Sequence, residues 1–255
     1  MAFSTRLPDP AYQRHFSGQN VHTNTSTDPD TNYGDYGPGF ASVKVVSDQK
    51  VMVSRTNSQR VQAKAVAGQK WNIDIEYHPM TQAEFRPVDA FLQMKQGAIT
   101  PFHVALPQYN NPVNTAWITD IGNYTFSTQS ATGAGSTSLV IGANSWNPNS
   151  THTPTNQPLP GEMFTITDSS DTNHTKAYMI TYVENRYIYN AGSQPSSTAR
   201  MHLGISPPLA KDVSTGSTFT FINPLFKVIM PTAVRSYSLN TDNLYKFSLK
   251  LEEYL

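Results

Sequence analysis

The chain has 255 residues, 38% of them hydrophobic and only 14% charged, with 18 basic and 18 acidic side chains and no cysteine. That length holds one large domain or two modest ones. The missing cysteine excludes disulfide scaffolds, thiol catalysis and Cys-based zinc sites; zero net charge without a basic block gives no electrostatic footprint for nucleic acid.

Taken in chain order, residues 1–39 read as an extended N-terminal arm. Asp9-Pro10 suits the start of a short helical turn. The following HTNTSTDPDTNYGDYGPG is too polar and too broken by Gly and Pro to order itself by burial. Yet Phe16, Tyr33 and Tyr36, with Phe40 at the end, place aromatic rings along it. Two readings stand side by side: an arm that orders on a neighbouring subunit through these residues, or a strap over its own domain. The start MAFSTRLPDPAYQRHF has no apolar core of a secretory signal, and no window has the roughly 20 apolar residues of a spanning helix. Without a signal, the sequons at Asn24, Asn123, Asn149 and Asn173 read as Asn/Thr-rich loops rather than glycosylation sites.

From Phe40 a β pattern begins. ASVKVVS and KVMVSR are short strands, and RVQAKAVAGQKWNIDIEY is a longer one. Val61, Ala63, Ala65 and Ala67 alternate with Gln62, Lys64 and Val66, which predicts a sheet with one buried face. Trp71, Ile73, Ile75 and Tyr77 continue on one side until Pro79 ends the strand. Thr81 and Glu84 then form a capping-box pair, predicting a helix over about 81–96. Its apolar face is Val88, Phe91 and Leu92; Pro87 lies inside, and Gly97 stops it. PFHVALP is the next strand.

After Pro107 the texture changes. QYNNPVNT reads as a loop. TSLVIGA, EMFTITD, KAYMITYV, RYIYN, RMHLGIS and TFTFI read as short strands joined by polar loops, as in a small barrel or sandwich. FKVIMP, RSYSL and LYKFSLKLEEYL return to the earlier style. In the last, Tyr245, Phe247, Leu249 and Leu251 face one way, so it should pair with the strands of 40–107. Residues 40–107 and 223–255 are thus expected to form one β core, with 108–222 an inserted β domain whose ends lie close together.

Little in the chain asks for chemistry. There is no nucleophile elbow, P-loop or H-E-x-x-H. His78 and His103, at strand ends, read as local hydrogen-bonders. DSSDTNH, residues 168–174, gathers two carboxylates and an imidazole; a metal site and a polar hairpin tip are both compatible with it, and the turn preferences of Asp, Ser and Asn favour the tip. Tyr187 and Tyr189 could stack on a sugar, although alternating Tyr is more often sheet packing. No catalytic, cofactor-binding or metal-binding residue is assigned.

The stretch from VSRTNSQRV to HVALP carries a further signal. Gly68, Gln69 and Trp71 lead into an aromatic strand ending at Tyr77, then Pro79, Thr81, Glu84 and Phe85. Gln96-Gly97 follows, then Phe102 and Leu106-Pro107. With GAGSTSLVIGA, LPGEMFTI, KAYMITYV and LYKFSLKLEEYL later in the chain, it resembles structural proteins of tailed bacteriophages, in particular distal tail and baseplate hub proteins related to tail-tube proteins. The resemblance covers about 40–255 and leaves out the arm. It implies a mainly β fold: a tail-tube-like β-sandwich or barrel with one packed helix, plus an inserted small β-barrel or sandwich. It also implies a virion tail protein assembled in the host cytoplasm, with no enzymatic role and no cofactor. Such a protein forms a homo-oligomeric ring, expected to be hexameric, and contacts other tail and baseplate proteins. A receptor- or glycan-binding module using the inserted domain is the alternative, and a hydrolase of cell-wall glycans a third.

Overall fold

The computed structural model describes residues 5–9, 37–65, 68–144, 146, 156–168, 170–171, 174–184, 198–232 and 236–254. The protein is mainly β and divides into two compact units, residues 1–104 with 227–254, and residues 105–226.

In the first unit the chain enters a sheet through β1 (Phe40–Asp48), runs out through β2 (Val51–Arg55), turns, and returns through β3 (Val61–Ala65) and β4 (Lys70–Tyr77). What reads in sequence as one strand from Val61 to Tyr77 is two, and Gly68 and Gln69 belong to neither. β4 is antiparallel to β1, Ile75 opposite Val43. Its alternation is fully expressed: Trp71, Ile73, Ile75 and Tyr77 are all buried. After β4, Thr81 caps α1 (Gln82–Lys95). The Glu84 amide donates to the Thr81 hydroxyl at 3.4 Å, and the Thr81 amide donates to the Glu84 carboxylate at 2.8 Å. The helix runs through Pro87 and ends on Gln96, in the left-handed region at φ 53°, one residue before Gly97. Phe85, Val88, Phe91 and Leu92 form its buried face. β5 (Phe102–Ala105) follows.

The C-terminal strands complete this sheet. β12 (Leu225–Ile229), β13 (Tyr237–Leu239) and β14 (Tyr245–Glu253) give the order β1-β4-β14-β12-β5, with β13 also paired to β14. β14 lies inside the sheet with Leu249 opposite Ile75, and it buries Phe247, Leu249 and Leu251.

The second unit opens with a short 3-10 turn (Pro107–Tyr109), in the stretch that reads as loop, and then a helix, α2 (Thr115–Asn123), which the sequence reading does not anticipate. The Asn114 side chain accepts from the Ala116 amide at 3.1 Å and starts the helix. Trp117 is fully buried in the core of a closed barrel. The barrel strands are β6 (Ser127–Thr128), β7 (Ser138–Asn144), β8 (Met163–Thr167), β9 (Ala177–Glu184), β10 (Thr198–Ser206) and β11 (Thr218–Thr220), joined in the order β10-β7-β6-β11-β8-β9. Its core packs Trp117 against Phe126, tilted at 4.5 Å, and edge-on to Phe221 at 5.3 Å. The Trp146 indole N–H donates to the buried Asp120 carboxylate at 2.6 Å.

Candidate assembly surface

β2 and β3 form a two-stranded sheet of their own. Five cross-strand pairs run from Val51 with Ala65 to Arg55 with Val61. A turn over Thr56–Gln59 closes it, with Gln59 at φ 65° and the Thr56 amide donating to the Arg60 carbonyl at 3.0 Å. Five strand residues reach about 17 Å. The pairing puts Val51, Val53, Val61 and Ala63 on one side, with Arg55 at the turn end of the same side, and Met52, Ser54, Gln62 and Lys64 on the other. Every residue from Val51 to Lys64 is exposed: Val51 at 51%, Val53 at 58%, Val61 at 55% and Met52 at 63%. The buried face that alternation predicts for Val61 and Ala63 is therefore not buried within this chain. The physical reason is that, among the described residues, no second layer packs on this hairpin. Lys50, Arg55, Arg60 and Lys64 make it basic, with no acidic residue between Gln49 and Gln69.

The edges of the main sheet are handled unequally. At β5, residues 5–7 add a parallel bridge: the Leu7 amide donates to the His103 carbonyl at 2.8 Å, and the His103 amide to the Thr5 carbonyl at 2.7 Å. Burial lowers the His103 imidazole pKa. Asp9, nearly fully buried, takes the Arg6 guanidinium at 2.7 Å, and its carbonyl accepts the Gly37 amide at 3.1 Å. A Cβ on Gly37 would stand 2.6 Å from the Asp9 nitrogen, so this close approach requires glycine. The two described ends of the arm thus meet on the first unit. Phe40 is half-buried, edge-on to Tyr77 at 5.3 Å. Phe16, Tyr33 and Tyr36 lie outside the described residues. β1 and β13 are end strands among the described residues, and Tyr237 and Leu239 on β13 are more than half exposed.

In the second unit, the DSSDTNH segment is a backbone clamp. One Asp168 oxygen accepts the amides of Ser170 at 2.6 Å and Asp171 at 3.1 Å, the other that of Ser214 at 2.9 Å. Burial alone would raise this carboxyl's pKa; the amides of Ser170, Ser214 and Asp171 and the Ser214 hydroxyl outweigh it and hold it low. Asp171 pairs with Lys211 at 3.0 Å. The buried His174 places Nε2 3.0 Å from the Tyr178 hydroxyl, which accepts the Ala210 amide. Among the described residues, no group of three or more His, Asp or Glu side chains is placed to hold a metal ion. Tyr187 and Tyr189 lie outside the described residues. Among those described, no helix is long and apolar enough to cross a membrane.

Residues 27–109 match the family model described as distal tail protein pb9, A domain, N-terminal. The match spans the sheet entry, the hairpin, β4, α1 and β5, and it supports a phage distal tail protein with a structural role in the tail. It begins inside the arm, ahead of the region whose sequence carries the resemblance. No curated protein matches the chain.

Proposed function

We propose, from the distal tail domain carried in residues 27–109, that the protein is a ring-forming subunit near the distal end of a phage tail. The ring joins the tail tube to tip components and holds six copies, assembled in the host cytoplasm. It acts by assembly and carries no enzymatic activity. Residues 105–226 are then a domain inserted between two halves of the ring-forming core; the bond from the Asn223 amide to the Asn110 carbonyl at 2.9 Å supports an insertion with adjacent ends.

The observation carrying this reading is the β2–β3 hairpin. An isolated two-stranded hairpin is marginally stable in water, and this one exposes a face patterned for burial. We place that face on the adjacent copy. Each valine covered there contributes on the order of 1.5 kcal/mol. The basic side chains around it set the register by pairing with acidic groups across the contact.

Light scattering and native mass spectrometry of the wild type and the Val53→Asp/Val61→Asp variant test this. The wild type should form a closed ring. The variant should remain monomeric with the wild-type far-ultraviolet dichroism, since both valines are exposed within the chain, and its thermal midpoint should fall to that of an unassembled subunit. A variant that assembles as the wild type does would sink the hairpin contact.

A further inference from the structure

The outer face of the barrel carries an arrangement that the core does not use. On β9 and β10, Tyr182 stands opposite Gly204 and Glu184 opposite His202. Met201 and Leu203 point into the core, so Arg200, His202 and Gly204 point outward beside Tyr182 and Glu184. A Cβ at Gly204 would fall 2.1 Å from Tyr182 Cε1 and 2.2 Å from Cδ1. The phenol ring therefore lies against bare glycine backbone, yet Tyr182 is 48% exposed. One side of the ring is supported and the rest is open to solvent. Next to it, the His202 ring stands perpendicular at 6.1 Å, and its Nδ1 is 2.8 Å from Glu184 Oε2.

We propose that Tyr182, Glu184 and His202 form a saccharide-binding subsite. A pyranose presents a flat C–H face and a rim of hydroxyls. The open phenol ring meets the first by stacking. The Glu184 carboxylate meets the second, having acceptor capacity beyond its bond to His202, and the imidazole holds that carboxylate in place. Glu184 and Arg200 together leave this face without the net positive groove that single-stranded nucleic acid requires, which favours a sugar. A tyrosine covering a cross-strand glycine also shields backbone on its own account. That packing needs the ring but neither the carboxylate nor the imidazole, which separates the two roles experimentally. The subsite does not depend on the ring-assembly reading.

Saturation-transfer NMR on the full chain tests it. The probes are a panel of methyl pyranosides of glucose, galactose, mannose and N-acetylglucosamine and their short oligomers, with oligothymidylate alongside. At least one saccharide class should receive transfer. Tyr182→Ala should weaken its binding at least about fivefold, the loss of one stacking contact, and Tyr182→Phe should retain it. Glu184→Gln should weaken binding severalfold at an unchanged thermal midpoint, and it remains informative if Tyr182→Ala fails to fold. Transfer to no saccharide of the panel, wild-type binding by Glu184→Gln, or preference for oligothymidylate would each overturn the proposal.

Discussion

Asp168 and His174 sit six residues apart, and folding makes both of them release a proton more readily. The Asp168 carboxylate holds three backbone amides, joining 168–171 to Ser214. Its pKa is lowered on folding, so its contribution is complete above the ordinary aspartate value of about 3.9 and is lost as pH falls through the lower folded value. Asp168→Ala leaves those amides without their acceptor and should cost on the order of 3 kcal/mol at neutral pH. In acid, below about pH 4, the gap between variant and wild type should narrow, as denaturant midpoints across that range will read. His174 is neutral in the fold because burial lowers its pKa, against the raising influence of Asp168. The unfolded chain binds the proton more readily, so stability falls as pH drops below about 6.5. His174→Gln should flatten that slope without abolishing it, since His103 is shifted in the same direction. Midpoints between pH 5 and 8 for both proteins measure it.

At the scale of elements, α1 shows local chemistry and tertiary packing agreeing. The capping box is visible in Thr81 and Glu84, and the structure forms both of its bonds. Thr81→Ala should lower stability by about 1 kcal/mol, read as a shift in the urea midpoint. α2 was not legible in the same way. Asn114 is an ordinary N-cap, but nine residues of helix in a stretch rich in Asn and Pro give weak periodicity. The burial of Trp117 among Phe126, Trp146 and Phe221 is what the barrel adds. The hairpin is the opposite case. Its alternation is clear, but period 2 reports a patterned face and not what covers it. Val53 and Val61 read like the valines of a buried strand until the structure shows both more than half exposed.

For the molecule as a whole, each unit closes its own structure. The barrel core draws its buried members from between Trp117 and Phe221, and its six strands close without help from outside residues 105–226. A polypeptide of residues 105–226 should therefore fold alone, giving near-ultraviolet dichroism and a cooperative melt from its packed Trp and Phe side chains. Featureless near-ultraviolet dichroism would show that the barrel needs the rest of the chain. The first unit could not be cut out as one continuous segment, because β14 and β12 sit between β4 and β5. Its sheet needs the C-terminal residues.

The sequence by itself determined the β class, the strand faces of β4 and β14, the capped helix and the texture shared with phage tail proteins. These rest on local periodicity and side-chain chemistry, which neighbouring residues fully specify. Only the tertiary structure decided that residues 5–7 seal the β5 edge and that Gly37 returns to Asp9. It alone showed that Asp168 is spent on backbone amides, and that Tyr182 rests on Gly204 beside a carboxylate–imidazole pair. Each of these joins segments far apart in the chain or strands paired across a barrel. Spacing along a sequence does not encode such pairings; the closing of sheets and the competition for burial create them.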